Sequence, residues 1–155
     1  MERVIAGRYE VLGKLGEGAL GEVFRVRDAQ DGGIKAVKLL KPRGLSGNTL
    51  GRFRREFRVI SRIEHPHIVR VHDFGVHDGE GGEQPYFSME LLTGSDLEAW
   101  REANRPRNGH PGFTVFAASV AYVFHQVADA LATVHAMDIV HRDLKPANIF
   151  VRPGR

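Results

Sequence analysis

The sequence has no cysteine, which excludes a disulfide framework and any zinc site built on thiolates. It has no block of like charge. Lys and Arg total 22 against 19 Asp and Glu, a formal net charge of +3, and that balance does not point to a nucleic-acid partner. The most basic stretch, Arg52 to Arg62, is interleaved with Phe53, Phe57 and Ile60, as in a helix with a solvated face. None of the eight histidines forms an HExxH-type pair. His65 and His67 flank Pro66, so they cannot share a helical face, and they read as a polar turn before a strand. The start, Met1 to Gly7, lacks the apolar core of a signal peptide. The longest apolar stretch, Phe113 to Phe124, is broken by Thr114 and Ser119 and ends at His125-Gln126, so it reads as too short to cross a bilayer. No membrane segment is expected, and the default location is cytoplasmic.

What is present is a globular composition. The 155 residues are 42% apolar and 26% charged, enough for one ordinary domain and too little for two. Tyr9 to Leu12 reads as a strand leading into a glycine-rich turn, Gly16 to Gly21. Glu22 to Arg27 follows as a strand, with Phe24 the one break in its alternation, and Asp31-Gly32-Gly33 is a second turn. Ile34 to Leu40 is a third strand carrying Lys38. From about Leu50 to Ile63 the period becomes helical, and Glu56 falls on or beside the buried face. Ile68 to His72 reads as a strand, His77 to Gln84 as a hairpin loop, and Tyr86 to Leu92 as another strand. Asp96 to Glu102 starts a short helix, Asn104 to Gly112 is a loop, and Val120 to Val134 marks a long helix. Five strands, a helix, then mainly helix make an α+β arrangement.

Gly16, Gly18 and Gly21 form a Gly-x-Gly-x-x-Gly run. A dinucleotide-binding version needs a helix directly after the glycines. Glu22 to Arg27 reads as a strand instead, which leaves either a hairpin whose backbone approaches phosphates or an ordinary glycine-rich turn. Lys38 can hold phosphate oxygens or snorkel to solvent, and Glu56 is its plausible partner. His141 to Asn148 is more specific. It sets Asp143 to accept a hydroxyl proton, Lys145 to neutralise phosphate, and Asn148 to offer magnesium an amide oxygen, all in one polar loop between apolar runs.

In this order the glycine loop, strand lysine, helix glutamate and His-Arg-Asp loop resemble the eukaryotic-like (Hanks-type) serine/threonine protein kinases, from about Tyr9 to Val151. The resemblance implies a small lobe of five antiparallel strands and one helix (about 9–92, with the hinge) and the start of a large lobe (93–155). It implies that Leu15, Gly16, Glu17, Gly18, Ala19, Leu20, Gly21 and Val23 form a loop over the ATP phosphates. Val23 and Ala36 would line the adenine pocket, with Met89 at its back and Glu90, Leu91 and Leu92 as the hinge. Lys38, paired with Glu56, would hold phosphate, and Asp96 would contact ribose. Asp143 would be the catalytic base, Lys145 a phosphate contact and Asn148 a magnesium ligand. The implied substrate is a protein Ser or Thr hydroxyl, from Lys145 after Leu144. Arg142 implies control by activation-loop phosphorylation.

Departures from the family pattern are Lys35 at an often apolar position and Leu20 where an aromatic is common. Asp73-Phe74-Gly75 precedes the hinge and reads as strand and turn, not as the family's magnesium-binding Asp-Phe-Gly. That motif is expected after Asn148, and Arg155 comes before it. The expectation is a truncated kinase domain that transfers phosphate poorly alone, exposes an apolar patch on the Val120 to Val134 helix, and associates through it. The rival readings are a non-catalytic nucleotide-binding module that pairs with another chain, and a metabolic nucleotide-binding enzyme.

Overall fold

Alternating apolar residues within 9–40 and 71–90 build a sheet, with a helical segment at 57–60 between them, and the helical period takes over after Glu90. The computed structural model describes residues 3–18, 21–41, 51, 55, 57–79, 82–106 and 112–152. These divide into two units, one of Met1–Glu64 with Val69–Leu91, the other of His65–Ile68 with Leu92–Arg155.

The first unit holds β1 (Val4–Ile5), β2 (Tyr9–Gly18), β3 (Gly21–Asp28), β4 (Ile34–Leu40), β5 (Val71–Gly79) and β6 (Gly82–Glu90). They form one sheet in the order β1-β2-β3-β4-β6-β5, every neighbouring pair antiparallel. The expected five strands thus become six. The extra strand, β1, is joined to β2 by a tight turn with left-handed Ala6 (φ 52°) and Gly7 (φ 65°), the twist that suits a two-stranded ribbon. Its Ile5 is fully buried, which gives so short a strand a reason to form.

Directly opposed residues point to one side of a sheet, and the pairing defines two faces. One carries the core: Tyr9, Phe24, Val26, Val37, Leu39 and Tyr86, with Ile5. The Tyr9 and Tyr86 rings meet edge-on at 5.6 Å. Phe24 belongs to this buried row with Val26 and Asp28, so Phe24 is not the break in alternation. The apolar residue out of place is Val23, on the opposite face with Arg25 and Arg27. The strand expected at Ile68 to His72 begins at Val71 and continues to Gly79. Residues 57–60 are helical, and Phe57 packs against Phe74 of β5 at 5.4 Å.

The second unit holds β7 (Ser95–Asp96), α1 (Leu97–Asn104), α2 (Phe113–His135), a 3-10 turn (Pro146–Asn148) and β8 (Phe150–Val151). Asp96 caps α1, its Oδ1 accepting from the Ala99 amide at 2.9 Å. Trp100 of α1 stacks on Phe116 of α2 at 6.0 Å. Helix α2 starts seven residues before the expected Val120 and absorbs the Phe113–Phe124 stretch. At 23 residues it is, by length and composition, long and apolar enough to cross a membrane, which corrects the reading that nothing in the sequence is. Polar residues do not interrupt it, because the Ser119 and Thr133 hydroxyls donate back to the Val115 and Asp129 carbonyls. His65 Nε2 lies 3.2 Å from Asp129 Oδ2, which places the 65–68 segment on this unit.

Candidate functional site

The glycines shape a hairpin rather than a loop alone. β2 and β3 run into them, with Gly16 opposite Val23, Glu17 opposite Glu22 and Gly18 opposite Gly21. A Cβ on Gly16 or Gly18 would meet nothing within 4 Å, whereas one on Gly21 would overlap the Leu39 carbonyl. Two glycines therefore leave backbone open to a ligand, and the third lets β4 approach. A register shift between Lys14 and Gly16 leaves Leu15 without a paired partner, its side chain exposed. Ala19 and Leu20, expected at the tip, lie outside the described residues.

Two rows of side chains cross the face opposite the core. One runs Gly16, Val23, Lys38, Phe87, Phe74 and the other Gly13, Arg25, Ala36, Met89, Val71. Four of the sequence-derived site residues, Val23, Ala36, Lys38 and Met89, therefore share one face. The Phe57 to Phe74 contact seats the 57–60 helical segment on that face too. Glu56 lies outside the described residues, and so does its pairing with Lys38. Glu90 ends β6, its amide donating to the Arg70 carbonyl at 2.9 Å and its Oε1 accepting from the Arg70 amide at 3.0 Å.

Glu17 points the other way. Its neighbour across the hairpin, Glu22, opposes Leu39 of the core face. The Glu17 carboxylate binds Lys14 Nζ at 2.6 Å and Lys41 Nζ at 2.9 Å, and Lys14 Nζ also reaches Glu22 at 2.7 Å. Lys14 first, then Lys41, hold the Glu17 carboxyl at about 2. Glu17 can thus meet a ligand on the Lys38 face only through its backbone.

In the second unit the His141 to Asn148 segment folds onto Asp143. The Asp143 amide donates to the His141 carbonyl at 2.9 Å, with Arg142 between them in the left-handed region (φ 60°). A non-glycine residue held there is a strain that clusters at functional sites. Lys145 Nζ donates to Asp143 Oδ1 at 2.9 Å. Asn148 Nδ2 donates to the Asp143 carbonyl at 2.7 Å and to Oδ2 at 2.9 Å. The Lys145 ammonium, then the Asn148 amide, hold the Asp143 carboxyl below the usual range, so it is ionised at neutral pH and can accept a hydroxyl proton. With its nitrogen turned to Asp143, the Asn148 amide presents its oxygen to the other side, a hard ligand that suits magnesium. Among the described residues no group of three or more acidic or histidine side chains forms a metal cluster.

The same loop is fixed to α1. Asp96 pairs with Phe150 and Ser95 with Val151, and the Leu97 amide donates to the Ile149 carbonyl at 2.8 Å. Left-handed Gly94 (φ 119°) allows this, since a Cβ there would overlap the Val151 carbonyl. The structure therefore brings Asp96 beside the Asp143 loop, with one carboxylate oxygen spent on the cap. Leu92, half-buried, follows the end of β6 and begins this unit.

Asp73-Phe74-Gly75 lies wholly within β5, with no turn, and each residue has a structural task. Asp73 Oδ2 meets Arg8 Nη2 at 3.0 Å, Phe74 packs on Phe57, and Gly75 makes room for Tyr86, whose Oη would be 2.6 Å from a Cβ. Sequence reasoning missed the charge network around it. Fully buried Asp28 takes Arg8 in a bidentate pair at 2.7 and 2.6 Å and Lys35 Nζ at 2.6 Å, and Lys35 also reaches Asp31 at 2.7 Å. This explains Lys35 at a position otherwise apolar. Its one sequence signal is a lysine in the buried row of a strand.

Comparisons with known proteins agree with this geometry. The protein kinase domain family matches residues 9–155. The Myxococcus xanthus serine/threonine-protein kinase pkn3 is 36% identical over 99% of the chain, and the Streptomyces coelicolor serine/threonine-protein kinase PkaA 37% identical over 97%. The crystal structure of the Mycobacterium tuberculosis PknI kinase domain is 32% identical over 97% of the chain, with a TM-score of 0.76. The chain therefore belongs to the protein kinase domain family. It spans 58% of that solved kinase domain and 26% and 28% of the two relatives' lengths.

Proposed function

We propose that the protein binds ATP and transfers its γ-phosphoryl group to serine or threonine hydroxyls of protein substrates. The observation that carries this reading is the Asp143–Lys145–Asn148 cluster, with both Asp143 oxygens held by donors 2.9 Å away. In the reaction the hydroxyl oxygen forms a bond to the γ-phosphorus, the bond from that phosphorus to the β-phosphate bridge oxygen breaks, and ADP leaves. Asp143 orients the hydroxyl and takes its proton. Lys145 offsets phosphoryl charge, which is where catalysis of this kind gains most. On the sheet of the first unit, Lys38 holds phosphate oxygens from a row that also carries Val23, while Ala36 and Met89 supply apolar surface to the base. Asn148 would hold magnesium, which would supply positive charge to the phosphates. We place the reaction in the cytoplasm, where ATP is abundant.

The test is transfer from γ-labelled ATP to a mixed protein substrate, followed by phosphoamino-acid analysis. Label on serine and threonine that disappears in Asp143→Asn supports the reading. Label on tyrosine alone, or equal labelling by the variant, contradicts it.

A further inference from the structure

The glycine hairpin carries two carboxylates directly opposite each other, Glu17 on β2 and Glu22 on β3. Like charges so placed push a hairpin open. Here they do not face each other alone. Lys14 Nζ sits between them, 2.6 Å from Glu17 Oε2 and 2.7 Å from Glu22 Oε1. Lys41, the residue after β4, takes the second Glu17 oxygen at 2.9 Å. The chain of contacts runs from β2 through β3 to the residue after β4, so it ties the two hairpin strands, at Glu17 and Glu22, to the strand that carries Lys38.

The cluster lies behind the hairpin. Glu22 opposes Leu39, whose side chain is in the core face, whereas Gly16, Val23 and Lys38 line the other side. Lys14 and Lys41 therefore do not reach the face that carries Lys38. The route left to them is the backbone of Gly16 and Gly18, where no side chain fixes the conformation and a Cβ would meet nothing. Glycine is the residue with most freedom to lose on ordering.

We propose that Lys14 and Lys41 are positioning residues, which clamp the glycine hairpin through Glu17 and so pre-order its backbone for the phosphates of a nucleotide. This rests on the ATP-binding reading above and assigns a role that the phosphate-facing residues do not have. Because the four side chains are at least partly exposed, the clamp is sensitive to ionic strength. An exposed cluster of this kind shifts an equilibrium about threefold.

The experiment measures two quantities on the full chain, as wild type, Lys41→Met and Lys41→Arg. One is hydrogen exchange at hairpin amides 13–23 without nucleotide. The other is affinity for ATP and for adenosine, which lacks phosphates. In low salt Lys41→Met should speed hairpin exchange and weaken ATP about threefold, leave adenosine binding unchanged, and be rescued by Lys41→Arg. Molar salt, which screens Lys14 as well as Lys41, should bring wild-type exchange at least to the level of Lys41→Met in low salt. Wild-type exchange in Lys41→Met, equal loss of ATP and adenosine, or no rescue by arginine overturns the clamp. If the wild type binds no ATP, the nucleotide reading falls, and the exchange data alone decide whether the clamp exists.

Discussion

Lys38 stands directly opposite Val23 across β3 and β4, so a cation and a branched apolar side chain project together from the face away from the core. The row continues to Phe87 and Phe74, and Phe74 seats a helical segment through Phe57. The face thus sets a charge beside apolar surface, which the ATP-binding reading assigns to phosphate and to the base.

Replacing Asp143 by Asn keeps the shape and removes the base. Phosphoryl transfer should fall by about a hundredfold or more, with ATP affinity unchanged. Since Lys145 and Asn148 hold the Asp143 carboxyl below the usual range, transfer should stay level from neutral pH down through about pH 5 and decline only in stronger acid. A rate that halves over that range would assign the titration to another group.

Acid should unfold the first unit through Asp28. Arg8, against the opposing effect of burial and with help from Lys35 and the Gln30 amide, holds its carboxyl far below the usual range. Its folded value is depressed, so its stabilisation is fully present above the unfolded value of about 3.9 and is lost as pH falls below it. Asp28→Asn should lower stability by roughly 2–3 kcal/mol at neutral pH, because it leaves Arg8 and Lys35 without their charge partner. Urea midpoints from neutral pH down to about pH 2 measure both effects. The wild type should lose stability below about pH 4, and the variant should lose much less there.

Most strands can be read from the sequence, and the reasons differ by element. Ile34 to Leu40 is apolar but for Lys35 and Lys38, and the structure gives the same bounds. β1 is two residues long and exists only because β2 and the core accept Ile5, which no local pattern announces. Taking Phe24 as the break in alternation picks the wrong residue: the alternation itself sets Phe24 with Val26 and Val23 with Arg25 and Arg27, and only the distant partners Val37 and Lys38 show which row is the core. The His141 to Asn148 loop is legible because its residues are adjacent. The Arg8–Asp28–Lys35–Asp73 network is not, since its charges come from four strands or turns and only folding brings them together.

The three glycines should respond differently to alanine. Gly21→Ala forces a Cβ onto the Leu39 carbonyl and should destabilise the chain by about 1–3 kcal/mol. Gly18→Ala meets open space, so stability should hold or rise while ATP affinity drops. Thermal unfolding with and without ATP separates the two.

Helix α2 leaves large apolar side chains in solvent. Phe113, Val115, Tyr122 and Phe124 are 54–70% exposed, more than a soluble helix usually shows in one stretch. A polypeptide of these 155 residues should bind an apolar dye and associate. Combined Val115→Ser, Tyr122→Ser and Phe124→Ser replacements should reduce dye binding and return it to a monomer in sedimentation. Unchanged association would place the contact elsewhere.

The most direct test is ATP binding by the protein as the cell makes it, measured by thermal stabilisation for wild type and Lys38→Met. The account predicts a clear shift with magnesium and ATP, and an affinity about tenfold or more weaker once the Lys38 charge is removed, the loss expected for one charged phosphate contact of about 1.5 kcal/mol or more. An equal shift in both proteins, or none in the wild type, would contradict it.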